Sequence, residues 1–141
     1  MSALRGLDLR PDRVVVLVVA LVLNIGFYLP EAPSGVGGVS FPGIDKVFHL
    51  GVFALTVWAV GRVLAPERRF PMGWVAIAGV VHAVLIEVVQ GALLPHRSMD
   101  GTDVLADSIG VVLGVLVWWV ERRVSRSASR SRRRTRPASR P

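Results

Sequence analysis

The chain of 141 residues contains no cysteine, which excludes disulfide bonds and thiolate metal sites. Charged residues are also sparse in four long apolar runs, Val14–Leu29, Val47–Ala65, Met72–Leu94 and Thr102–Val120. A helix needs about 20 residues to cross the roughly 30 Å hydrocarbon layer of a membrane. A soluble protein of this length has too little interior to bury four such helices. The sequence therefore predicts an all-α, polytopic membrane protein whose membrane domain, residues 14–120, is a four-transmembrane-helix bundle.

Basic residues fall almost entirely on one side of the predicted bundle. Of the 17 Lys and Arg residues, all but Lys46 and Arg97 lie in the N-terminal arm (residues 1–13), in the segment from the end of the second helix to the start of the third (residues 62–71), or in the tail (residues 121–141). Cytoplasmic segments of membrane proteins carry the excess of Lys and Arg. We therefore predict that both termini are cytoplasmic. The first run lacks a small-x-small cleavage site, so we expect a retained helix and not a signal peptide.

The tail, residues 121–141, is rich in Arg and Ser and of low complexity, which predicts disorder. Nine of the 17 basic residues lie in it. The simplest interpretation is an anchor that lies against anionic lipid headgroups, while a partner-binding or phosphorylation role stays open. Because no aromatic residues are interleaved for base stacking, we expect no nucleic-acid partner.

The ionisable residues of the apolar runs share one depth in the membrane. A rise of about 1.5 Å per residue gives the depth of each residue in the membrane. The outer third of the membrane contains the start of the second helix, the end of the third and the start of the fourth. The residues at this depth are Asp45, Lys46, His49, Glu87, Gln90, Asp103 and Asp107, with His96 and Arg97 in the adjacent outer loop. Intramembrane charges are costly and usually face the bundle interior or water. Their coincidence predicts an outward-facing polar site, with helix caps and interhelical hydrogen bonds as the structural alternative.

Helical spacing directs the carboxylates of the fourth helix into the bundle. Asp103, Asp107, Gly110 and Gly114 are spaced i, i+4, i+7 and i+11, which is one stripe of a helix. The two glycines form a GxxxG step, and such a step lets another helix backbone approach closely. We therefore predict that this stripe faces a neighbouring helix.

Two further polar residues are interpreted as structural. Asp45 is expected to open the second helix as its N-cap. His82 lies near the middle of the third helix and well around it from Glu87, so we expect a neutral packing histidine with a hydrogen-bond partner.

Two segments resemble the VanZ-like family of small bacterial membrane proteins, DKVFHLGVFALTVW at Asp45–Trp58 and EVVQGALLPHRSMDGTDVLADSIGVVLG at Glu87–Gly114. The family pattern falls on Asp45, Lys46, His49, Glu87, Gln90, Arg97, Asp103 and Gly110. Where the family commonly has asparagine, this chain has Asp107, and an aspartate can ionise or bind a cation. The resemblance implies a multi-pass protein of the bacterial plasma membrane. The founding member is associated with low-level resistance to the glycopeptide teicoplanin, and the resemblance supplies no established reaction.

Three functions fit this pattern. The first is an enzyme or lipid-modifying protein of the outer leaflet. Its candidate catalytic residues are Asp45, His49, Glu87 and Asp103, and its candidate substrate-binding residues are Lys46, Gln90, Arg97 and Asp107. The second is a non-catalytic protein that binds a lipid, a glycopeptide or a partner. The third is a structural membrane protein whose polar cluster only holds the helices together.

The expected partners are membrane lipids and a lipid-linked precursor of the cell envelope, and oligomerisation stays open. No cofactor is expected, because no compact metal motif such as HExxH is present. Carboxylates beside a histidine leave a divalent cation as a weaker alternative.

Overall fold

The computed structural model describes residues 7–29, 43–65, 71–95 and 99–134, with side chains described as far as residue 129. Within these residues the chain is entirely helical and contains no strand. The helices are α1 (Pro11–Ile25), α2 (Ile44–Leu64), α3 (Met72–Leu93) and α4 (Gly101–Arg134), and a short 3₁₀ turn, Gly26–Tyr28, follows α1.

All four helices are long and apolar enough to cross a membrane by length and composition. Much of their outer surface is apolar and exposed, for example Val22, Ile77 and Val112, each more than half exposed. Such a surface suits lipid, since a helix that is apolar around its circumference is a membrane span or a deeply buried helix. The predicted all-α, four-span membrane fold is confirmed.

The largest difference from the predicted helix ends is at the end of the fourth helix. α4 does not end at Val120 but continues to Arg134, which differs from the disorder expected from residue 121 onward. Arg and Ala favour helix, and the hydroxyls of Ser127 and Ser129 donate to carbonyl oxygens four residues earlier, at 3.1 and 3.0 Å. Residues 135–141 of the predicted tail lie outside the described residues.

The start of α2 corrects the expectation for Asp45. The N-cap is Gly43, whose φ of 87° is accessible to glycine without steric cost. Asp45 lies in the first turn, and no side chain forms a cap hydrogen bond. Its carboxylate still lies near the positive end of the helix dipole, where an acid is favourable.

The closest packing in the bundle is between α2 and α4. A methyl group added at Gly110 would overlap the carbonyl oxygen of Leu50, and one at Gly114 would lie 2.6 Å from the carbonyl oxygen of Ala54. The predicted glycine stripe is therefore the surface on which the two backbones meet. This contact fixes the relative height of α2 and α4, and with it the distances between their polar side chains.

A buried phenylalanine in the 3₁₀ turn closes one end of the core. The Phe27 ring lies 5.4 Å from the Phe48 ring, 4.5 Å from the His49 ring and 5.8 Å from the Phe53 ring, measured between centroids. The turn after α1 thus packs against the first half of α2, directly beside a histidine of the predicted polar site.

The opposite end of the bundle carries basic side chains. Arg13 donates to the carbonyl oxygen of Arg62 at 2.6 Å, and Arg62 pairs with Asp12 at 3.2 Å. Arg122 of α4 donates to the carbonyl oxygen of Ala65 at 2.6 Å. Arginine side chains therefore satisfy backbone carbonyls at the end of α2, as cations near a helix C-terminus do.

Replacing Gly110 by alanine tests the α2–α4 contact. Gly110→Ala should lower the free energy of unfolding in detergent by about 1–3 kcal/mol, because overpacking a close contact forces backbones apart. Gly51→Ala is the matched control, since nothing lies within 4 Å of the added methyl group. This control should leave stability unchanged or raise it, because alanine is the better helix former. Equal losses in the two variants, measured by circular dichroism, would contradict the close contact.

Candidate functional site

Three helices bring polar side chains together at one end of the bundle. We call this group the polar cluster; it consists of Asp45, Lys46 and His49 from α2, Glu87 from α3, Asp100 just before α4, and Asp103 and Asp107 from α4. The contacts between these residues span more than 50 positions of sequence between α2 and α4. The sequence-based grouping of these residues therefore corresponds to a physical cluster.

The centre of the cluster is a buried histidine–aspartate pair. His49 Nδ1 lies 3.0 Å from Asp107 Oδ1, and only 4% of the His49 side chain and none of the Asp107 side chain is exposed. An ionised carboxylate only accepts hydrogen bonds, so when Asp107 is ionised this contact requires the proton on Nδ1. The other ring nitrogen, Nε2, faces Asp103, with 3.8 Å between it and Oδ2.

Lys46 lies nearer the surface and contacts three carboxylates. Its Nζ is 2.9 Å from Asp103 Oδ1, 3.1 Å from Asp100 Oδ2 and 3.5 Å from Asp45 Oδ2. The lysine side chain is 38% exposed, so each of these ion pairs contributes little to stability by itself. Their effect is positional, because they hold one ammonium group among three carboxylates, nearer the surface than the buried pair.

Asp100 anchors the start of α4. It accepts hydrogen bonds from the Thr102 hydroxyl at 2.7 Å and from the Thr102 backbone N–H at 2.8 Å. These bonds, together with that from Lys46, lower the pKa of Asp100 to about 2. Asp100 is therefore ionised at neutral pH and acts as the N-terminal cap of the helix that carries Asp103 and Asp107.

Glu87 joins α3 to the same region. Its Oε2 accepts a hydrogen bond of 2.7 Å from the backbone N–H of Asp100. Gln90, one turn further along α3, is buried and donates to the carbonyl oxygen of Phe27 at 2.9 Å. The Gln90 amide thus holds the 3₁₀ turn against α3, and substrate binding by this residue stays a prediction.

Two buried carboxylate oxygens have no partner. Glu87 Oε1 and Asp107 Oδ2 are inaccessible to solvent and lack any hydrogen bond. At the opposite end of the bundle the buried Nε atoms of Arg13 and Arg62 also lack one, although Arg62 Nε lies 3.1 Å from Glu121 in an ion pair. Buried polar groups in folded proteins are nearly always hydrogen-bonded, because an unpaired one forfeits its hydration without compensation. These two oxygens are therefore the carboxylate atoms of the cluster with unused capacity to accept a hydrogen bond or to ligate a cation.

The cluster has more acidic than basic groups, which also favours a bound cation. Among the described residues it has the carboxyl groups of Asp45, Glu87, Asp100, Asp103 and Asp107, against the basic groups of Lys46 and His49. One donor atom from each of His49, Glu87 and Asp103 lies within 4.8 Å of the others. Carboxylate oxygens with an imidazole nitrogen are ligands for divalent metals, so these three residues are the ones suited to hold an ion.

A second polar layer lies deeper in the bundle and centres on Asn24, which sequence reasoning missed. Asn24 donates to the carbonyl oxygen of Ala20 at 2.7 Å and to the Thr56 hydroxyl at 2.8 Å, and its Oδ1 lies 3.2 Å from His82 Nε2. The expected hydrogen-bonded packing role of His82 is confirmed. The available signal was a lone asparagine in the apolar run of α1.

Arg97, a predicted substrate-binding residue, and its neighbour His96 lie outside the described residues. The remaining predicted site residues are all described. Of these, all but Gln90 belong to the polar cluster.

The geometry defines a polytopic helical membrane protein with a buried polar cluster at one end of its bundle. The family model VanZ/LLP1 matches residues 7–122. The chain therefore belongs to the VanZ/LLP1 family, as the resemblance of its polar motifs predicted. No curated protein and no solved structure gives a significant match to the chain.

Removal of the Asn24 side chain tests whether the deeper layer is structural. Asn24→Ala should lower the free energy of unfolding by about 1–3 kcal/mol, because it leaves the partly buried His82 Nε2 and the Thr56 hydroxyl without their Asn24 partner. Val22→Ala is the matched control, since Val22 lies on the same helix and is 58% exposed. Denaturant titration in detergent measures both, and an Asn24 variant no less stable than the Val22 variant would contradict the structural role.

Proposed function

We propose that this protein binds the headgroup of a cell-envelope lipid or lipid-linked precursor at the polar cluster, on the outer face of the bacterial plasma membrane. The observation that carries the proposal is the pair of unpaired buried oxygens, Glu87 Oε1 and Asp107 Oδ2. A cluster that only held helices together would be expected to satisfy these atoms, since each unpaired buried group costs about 1–3 kcal/mol.

The distribution of basic side chains supports the outward location. Arg13, Arg62 and Arg122 lie at the end of the bundle opposite the cluster. Because basic residues mark the cytoplasmic side, this arrangement favours cytoplasmic termini and a polar cluster in the outer leaflet. A ligand that reaches the cluster is then a component of the outer leaflet or of the space beyond it.

Lys46 is suited to recognise the anionic part of such a headgroup. Its side chain is partly exposed at the surface of the cluster, and lysine binds phosphate oxygens as a point charge. The hydroxyl or ammonium groups of the headgroup would then reach the unpaired carboxylate oxygens beneath it.

The histidine–aspartate pair adds the groups needed for a reaction on the bound headgroup. Asp107 fixes the orientation of the His49 ring and leaves Nε2 directed into the cluster. A positioned histidine is the commonest general acid or base. Capture or alteration of an envelope precursor is also a route by which a family member would affect sensitivity to teicoplanin-type glycopeptides.

Lipid analysis of the purified protein tests the proposal. Protein extracted from its bacterial membrane in mild detergent should carry a phosphate-bearing envelope lipid or precursor enriched over the bulk membrane lipids, as read by mass spectrometry. Lys46→Met should reduce this enrichment about 10–100-fold, because a hydrogen bond to a charged group contributes about 1.5–3 kcal/mol. Arg126→Met, which removes an exposed cation from the half of α4 remote from the cluster, is the control and should keep the lipid.

The proposal would be overturned if the lipids that co-purify with the wild-type protein had the same composition as the bulk membrane. An enrichment that survives Lys46→Met would also overturn it. If Lys46→Met lowers thermal stability and the wild-type protein carries no enriched lipid, the structural alternative is the better account.

A further inference from the structure

We infer that His49, Glu87 and Asp103 form a binding site for a divalent metal ion. This inference deepens the proposed function and rests on it for the role of the ion, although metal binding itself is measured without lipid. One donor atom from each residue lies within 4.8 Å of the others. Glu87 and His49 are almost fully buried, and Asp103 has 13% of its side chain exposed.

Each of the three side chains has one atom anchored and another available to the cluster. His49 Nδ1 is held by Asp107, which leaves Nε2. Glu87 Oε2 is held by the backbone N–H of Asp100, which leaves the buried and unpaired Oε1. Asp103 Oδ1 is held by Lys46, which leaves Oδ2 at 3.8 Å from His49 Nε2.

Asp107 contacts His49 as a carboxylate contacts a metal-ligating histidine, on the ring nitrogen that does not bind the ion. A histidine that binds a metal through one ring nitrogen almost always donates its other ring N–H to a carboxylate, a carbonyl or water. This contact fixes the tautomer and makes the ligating nitrogen more basic. It also explains why a fully buried aspartate lies behind the histidine and away from the solvent-facing lysine.

The donor set favours a first-row transition metal. One imidazole nitrogen and two carboxylate oxygens are ligands of zinc at about 2.0–2.2 Å, and carboxylates also suit manganese. Donors of a single ion at such bond lengths lie roughly 3–4.4 Å apart, so small side-chain rotations bring the three atoms onto one ion. Three protein ligands leave a coordination position open, as in catalytic zinc sites.

An ion at this position would also reconcile the acidic cluster with an anionic headgroup. The cluster has more carboxyl groups than basic groups, which weakens the attraction of Lys46 for a phosphate. A divalent cation offsets two of these negative charges and offers its open position to a phosphate oxygen, next to Lys46. The proposed ligand and the ion would then occupy adjacent parts of the same site. While the ion is bound, His49 Nε2 and Glu87 Oε1 are its ligands, so His49 does not act as a general acid or base and the headgroup contacts the ion in place of Glu87.

Cobalt(II) is a suitable probe because a bound ion absorbs visible light according to its coordination. The full chain, purified in detergent with a tag that contains no histidine and stripped with a chelator, should bind one equivalent of Co²⁺. Glu87→Gln should abolish this binding or weaken it at least ~10-fold, because it removes an anionic ligand without changing side-chain size. Asp107→Asn should weaken it about 10–100-fold, the usual effect of altering a partner of the ligating histidine.

Glu121→Gln is the matched control, since this carboxylate pairs with Arg62 and accepts from Trp58 at the opposite end of the bundle. It should bind Co²⁺ as the wild type does. Size-exclusion profiles and thermal unfolding establish that each variant is folded. His49→Gln provides a second ligand variant if Glu87→Gln does not fold, and it should lose the absorption as well.

No Co²⁺ absorption in the wild-type protein, or equal affinity in the wild type and in a folded ligand variant, overturns the inference. If the wild-type protein fails the Co²⁺ test but still carries an enriched lipid that is lost in Lys46→Met, the proposed function stands without the metal. If Co²⁺ binds as expected but no lipid is enriched, the metal site stands and the proposed function fails.

Discussion

The contact between α2 and α4 at Gly110 and Gly114 determines the rest of the site. The glycines share one helical stripe with Asp103 and Asp107. The close approach of α2 and α4 at the glycines therefore also places both carboxylates next to α2. The 3.0 Å distance from His49 to Asp107 depends on this approach, because a larger side chain at either glycine would move the helices apart. A packing constraint among apolar residues thereby sets the geometry of a polar group.

The two polar layers of the bundle differ in how well their groups are paired. In the deeper layer, Asn24 bridges Thr56 and His82, and Thr56 donates onward to the carbonyl oxygen of Val52 at 2.7 Å. At the end of the bundle, two buried carboxylate oxygens remain without partners. One chain thus contains both a satisfied polar layer and an unsatisfied one. This contrast favours a structural role for the first and a ligand-binding role for the second.

Sequence reasoning could predict the helices and the grouping of the cluster because both depend on spacing along the chain. Hydropathy gives the spans, and the rise per residue places Lys46, Glu87 and Asp103 at one depth. Pairing depends on how each helix is rotated and on backbone groups of other segments. For that reason the sequence indicated neither the partner of Gln90, a carbonyl in the turn after α1, nor the role of Asn24. The length of α4 was missed because hydropathy does not report the helix propensity of an arginine-rich segment.

The central claim is that the buried carboxylates are kept for binding at a cost in stability. The free energy of unfolding of Glu87→Gln, measured in detergent without metal or lipid, tests it most directly. Glutamine can keep the acceptor for the Asp100 N–H, and it replaces the unpaired carboxylate oxygen by an NH2 group that can donate to the neighbouring Asp103 carboxylate. We therefore expect a stability equal to or greater than that of the wild type, as is common when a functional group strained by burial is neutralised. A loss of about 2 kcal/mol or more would show that Glu87 holds the helices together, and would contradict the claim.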